Sequence, residues 1–131
     1  MEFGLLLLVS FLFGGMLLFS IGFGTLSFKL LKPADARKFI RKTFPYFYAY
    51  VFGISALICL LSFNFSTTIS VISSIICVTT VPTALILMPA INKASDTKQR
   101  RNFIILHTLS VVITLVHIIV CAVLLYLMTK K

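Results

Sequence analysis

With 131 residues, 60% of them hydrophobic and only 11% charged, this chain lies outside the composition of a water-soluble domain, where about a quarter of residues are charged. Twelve basic residues oppose three acidic ones, a net charge of +9. Every basic cluster abuts an apolar run, so attraction to anionic lipid headgroups accounts for the imbalance, and no nucleic-acid partner is expected.

Three charge-free runs cover residues 3–28, 43–92 and 103–129. About 20 apolar residues cross the hydrocarbon core of a bilayer. The outer runs are therefore single spans, and the middle one holds two, broken at Asn64, Phe65, Ser66 and Thr67. The expected fold is all-α: one integral membrane four-helix bundle over residues 1–131, with spans at about 3–28, 46–63, 68–89 and 103–128.

The first span starts beside Glu2 without a Lys or Arg, and no small-residue cleavage pattern follows its long apolar run. It reads as a retained helix rather than a signal peptide. Gly4, Gly15 and Gly22 fall within roughly 20° of each other on a helical wheel, with Leu8, Phe11 and Leu18 in the same seam. Such a seam lets another helix approach closely. The loop that follows contains Pro33 at a first helical position, Asp35 in a first turn and apolar Phe39 and Ile40. A short amphipathic interfacial helix is expected here. Arg37, Lys38, Arg41 and Lys42 would meet headgroups, and Phe44-Pro45 would end it.

Helix two opens with Tyr46, Tyr48 and Tyr50, aromatics suited to the membrane boundary. The short turn at 64–67 makes helices two and three antiparallel neighbours. Helix three carries Ser70, Ser73, Cys77, Thr80 and Ala84 at 3-4 spacing; Pro82 predicts a kink, and Pro89 closes the span. Asp96 with Gln99 resembles a capping box, which would start helix four in the loop. Ten Lys and Arg in the two long loops, including Arg100 and Arg101, face Lys130 and Lys131 at the other end. By the positive-inside rule the loops are cytoplasmic and both termini are not. The expected location is a bacterial inner membrane.

Helix four carries the most informative pattern. His107, Ser110, Thr114, His117 and Cys121 fall within an arc of about 80° and run about 21 Å along the axis. Polar groups in hydrocarbon turn toward protein or a water-filled cavity, and intramembrane ionisable residues are functional by default. The stripe therefore faces a seam with helix three, where Cys77 and Thr80 complete a candidate ligand-binding set. Packing through interhelical hydrogen bonds is the alternative for its hydroxyls and thiols. Copper(I) favours Cys, Met and His, which makes Met16, Cys77 and His117 a weak metal trio. Both histidines cannot clamp one haem iron within a monomer, since they are ten residues apart on one helix. No catalytic motif occurs, every carboxylate lies outside the spans, and no C-x-x-C pair frames a disulfide or zinc site. An enzyme is not expected, and neither is a resident cofactor.

Four patterns occur in order: Gly14-Gly15-Met16, Phe44-Pro45-Tyr46-Phe47, Pro89-Ala90-Ile91-Asn92, and Phe103-x-x-Leu106-His107-x-x-Ser110. Together they resemble the transmembrane protein 205-like family, a four-helix membrane domain of unknown function. The resemblance implies that Pro45, Tyr46, Asn92, His107 and Ser110 form a cytoplasmic-side cluster. Thr114 stands where members of that family often have Asn. The first helix is also similar to the copper-resistance D membrane domain, which keeps copper handling among the readings. The function expected is binding or passage of a small molecule or ion along the helix-three/helix-four seam. The alternatives are an accessory or scaffold subunit of a larger membrane complex or homo-oligomer, and copper or haem handling.

Overall fold

Lipid offers backbone amides and carbonyls no partner, so a chain this apolar satisfies them within helices. The computed structural model describes residues 2–130, and among them there is no strand. Four helices are long and apolar enough to cross a membrane: α1 (Glu2–Leu30), α2 (Pro33–Ser62), α3 (Thr67–Asp96) and α4 (Arg100–Thr129). Two contain a π-helical segment, Leu18–Phe23 in α1 and Thr83–Leu87 in α3. The second follows Pro82, whose missing N–H interrupts the ladder.

Local chemistry sets the turns. Leu31 and Lys32 are extended, and Pro33 opens α2. Ser66 caps α3, its hydroxyl accepting from the Ile69 amide at 3.4 Å. At the α3–α4 turn the Gln99 amide bonds the Ala94 carbonyl at 2.9 Å, and Lys98 is left-handed with φ 57°. That six-to-one bond is the helix-ending arrangement normally completed by glycine.

The helices α2 and α3 pack along each other as an antiparallel hairpin. Helix α1 lies against α2, and its first part, Glu2–Leu17, also packs against α4. Helix α4 meets α3 chiefly at the Met88–Asp96 end. The core consists of residues such as Leu5, Leu12, Met16, Ile58, Ile76 and Leu124, all essentially inaccessible. Around it the exposed surface is apolar, as a lipid-facing surface must be.

Several local expectations are corrected. The basic segment after α1 is helical but not a separate interfacial helix, because α2 runs unbroken through Pro45. Only one carbonyl, that of Arg41, lacks a ladder partner as a result, and it lies at the polar end of the helix. Pro89 likewise does not close α3, which continues to Asp96. Asp96 caps nothing; its carboxylate accepts two bonds from the Arg41 guanidinium, at 2.7 and 2.8 Å, tying α3 to α2. Nor is the glycine seam of α1 its packing face. The buried face is Leu5, Val9, Leu12 and Met16, whereas Gly4 faces open space and Phe11 and Leu18 are exposed. Gly15 alone of that seam makes a close approach: a Cβ there would overlap the Tyr50 ring, whose hydroxyl donates to the Phe11 carbonyl.

Candidate functional site

Helix α4 packs chiefly against the Glu2–Leu17 part of α1, and beyond it, where the π segment of α1 begins, the two helices border open space toward the basic end. The space between them is a cavity of about 1260 Å³ walled by all four helices. Phe19 and Phe23 on α1, Phe44 on α2, Met88 and Ile91 on α3 and Phe103 on α4 make its walls apolar. Phe19 stacks on Phe47 with ring centroids 4.5 Å apart and meets Phe44 edge-on at 5.6 Å, which stiffens the α1–α2 wall.

Polar groups that have no partner among the described residues project into this apolar space. Tyr48, His107, Asn92 and Thr114 all line the cavity, and none of them makes a side-chain hydrogen bond among the described residues. Tyr48 is only 6% exposed, yet its hydroxyl is not sealed off among the described residues, because it opens on the cavity. His107 stacks on Phe103, with planes 7° apart and centroids at 5.6 Å, so the imidazole edge is presented rather than packed away. Ser110 also lines the space, but its hydroxyl donates to the His107 carbonyl at 2.7 Å. The mouth carries Arg37, Lys38, Arg41, Lys98 and Arg100, and no carboxylate lines it.

From Ser110 onward α4 turns its polar stripe inward: Ser110, His117 and Cys121 are buried and Thr114 is half-buried, whereas His107 is exposed and lines the open part of the cavity. The stripe does not form one site. His107, Ser110 and Thr114 belong to the large cavity. His117, 8% exposed, instead bonds Thr79 through Nε2 at 2.7 Å, bridging to α3. With Met16, Thr80 and Thr83 it borders a separate void of about 10 Å³, room for one water at most. Thr80 donates its hydroxyl to the Ile76 carbonyl of its own helix.

Other predicted members are not brought together. Cys77 turns to α2, with Sγ 3.9 Å from the Phe52 carbonyl, so it joins neither the α4 stripe nor a trio with Met16 and His117. Among the described residues no group of three His, Cys, Asp or Glu side chains is placed to hold a metal. Pro45 and Tyr46 are not part of the cluster around Asn92 and His107. On the continuous α2 they face away from Phe47, Tyr48 and Val51, and Tyr46 is 77% exposed. Lys42 and Arg101 are exposed and do not line the cavity.

Sequence reasoning missed Thr79 and the inward role of Tyr48. The signal for Thr79 was available: it lies about 100° from Thr80 on the wheel, on the flank opposite Cys77.

A family described as a domain of unknown function, DUF4149, matches residues 7–102. The chain belongs to that family. No curated protein and no solved structure matches it. The DUF4149 match takes in nearly all of α1, α2 and α3 but stops three residues into α4, so the polar stripe lies past its end.

Proposed function

We propose that this DUF4149 protein is a non-enzymatic membrane protein that binds a small molecule in the cavity between α1 and α4. The observation that carries this reading is the convergence of Tyr48, Asn92, His107 and Thr114, all unpartnered among the described residues, on one apolar space of about 1260 Å³. A cleft with apolar walls and a few directed polar groups is the usual form of a small-molecule site. Binding is favoured over passage because the interior beyond Tyr48 and Thr114 is filled by Leu5, Val9, Leu12, Ile58 and Leu124. The resemblance to the transmembrane protein 205-like family supports a cluster at Asn92, His107 and Ser110. The basic mouth supports a cytoplasmic orientation for that end, in an inner membrane, by the positive-inside rule.

Gly24 provides the test, since it lines the cavity and a Cβ built there meets nothing within 4 Å. Gly24→Phe fills the space without displacing backbone. Native mass spectrometry of the full chain released from mild detergent should show a retained adduct that Gly24→Phe and His107→Leu with Thr114→Val each diminish. A bare wild-type chain, or an adduct indifferent to both changes, refutes the reading. An accessory subunit would keep its activity in the same variants.

A further inference from the structure

The mouth of the cavity is a one-sided electrostatic environment. Arg41 is neutralised by Asp96 in the only ion pair among the described residues. Arg37, Lys38, Lys98 and Arg100 line the same mouth with no carboxylate opposite them. They come from two helices and the turn between α3 and α4, so their charge converges on the opening rather than following one helix face. Lys98 is held there at a backbone cost, because its φ of 57° is the left-handed conformation that a glycine would adopt without strain.

Depth and access point the same way. From Arg100 to Leu115 the α4 wall extends about 22 Å, close to one leaflet of hydrocarbon (~15 Å) plus its headgroup layer. The polar groups are graded along it, with cations at the mouth, then Asn92 and His107, and only neutral hydroxyls, those of Ser20, Ser110, Tyr48 and Thr114, deeper among apolar side chains. The space is open sideways: Ile21 and Phe28 on α1 and Val111 and Leu115 on α4 line it and are also exposed at the surface. Those edges are where α1 and α4 have parted, and they face the hydrocarbon.

We infer that the ligand is an anionic acyl amphiphile of the surrounding leaflet. It enters between α1 and α4 with its charged head at Arg37, Lys38, Lys98 and Arg100 and its chain against the Phe-rich wall. A head carrying hydrogen-bond acceptors and donors would reach Asn92 and the His107 edge. The ligand class rests on the binding reading above.

The chain contains no tryptophan, so one introduced indole reports from one place. Phe44→Trp puts it on the inner wall, Phe103→Trp serves if that variant does not fold, and Val78→Trp puts it on the outer surface of α3. Each full-length protein is placed in phosphatidylcholine nanodiscs in which about one lipid in ten has brominated acyl chains, as either phosphatidylglycerol or phosphatidylcholine. At the inner wall, brominated phosphatidylglycerol should quench as though enriched roughly fivefold or more, the effect of one or more headgroup–cation contacts. Brominated phosphatidylcholine should quench less, and the Val78 indole should show no such preference. Replacing Arg37, Lys38, Lys98 and Arg100 by Gln should remove the preference while the circular dichroism stays helical. Equal quenching by both lipids above the random level overturns the ligand class and leaves the binding reading standing. Random quenching by both overturns the two together. The same preference at Val78 assigns the attraction to the rim in general, and loss of quenching on adding inorganic phosphate assigns the site to a water-soluble anion; either result overturns the inference.

Discussion

The two ends of this bundle are built from the same kinds of residue and behave differently. At the end formed by Glu2–Leu17 and the last turns of α4, Leu5, Leu12, Cys121 and Leu124 are closed against one another, and Tyr50 clasps α1 at Gly15 and Phe11. At the basic end, phenylalanines of similar bulk line a cavity instead. Hydrophobicity does not separate the ends, since lipid competes equally for any apolar surface and association must come from packing. What separates them is fit. Where a backbone can come close, as at Gly15, the helices seal; where α1 changes to π-helical winding, they part.

The contrast should be largest in core truncations. Ile58→Ala, in the closed region, should cost roughly 2–4 kcal/mol in reversible unfolding from mixed micelles. Val111→Ala on the cavity wall should stay within about 0.5 kcal/mol, and equal costs would erase the distinction. Next come the glycines. Gly15→Ala must push Tyr50 aside and should cost about 1–3 kcal/mol in the same assay. Gly24→Ala should cost nothing and gain a few tenths of a kcal/mol from helix propensity. The smallest effect should lie at the boundary between the two regions, where His117 reaches across to Thr79. A double-mutant cycle of His117→Leu and Thr79→Val should return a coupling near 0.6 kcal/mol. A coupling of several kcal/mol would mean that this bridge, rather than side-chain fit, holds α3 to α4.

The spans and the inward stripe of α4 were legible because uncharged runs and intramembrane histidines each leave few physical alternatives. Breaks at proline were not. Pro45 and Pro89 lie within continuous helices near their polar ends, where a lost ladder bond finds polar groups nearby, whereas the disturbance expected at Pro82 is present as π winding from Thr83. Thr80 does border His117, but the rest of the α3 stripe was assigned to the wrong neighbour for a geometric reason. Ser70 and Cys77 point toward α2, where Ser70 meets Cys59 and Cys77 meets the Phe52 carbonyl. Thr79, on the other flank, is what α4 reaches. One-dimensional spacing defines a helix face but not which of two flanking helices takes each edge. The cavity itself was not legible, since it arises from where α1 and α4 stop touching, and an absence of contact leaves no mark in a residue pattern.

For the lipid ligand proposed above, the sideways opening would also determine how occupancy is governed. A guest that reaches Tyr48 and Thr114 through the gap between α1 and α4 never crosses water, so its dose is a mole fraction in a two-dimensional fluid. Saturation then follows membrane composition, and a change in the proportion of charged lipids shifts loading even when nothing in the surrounding aqueous phase changes.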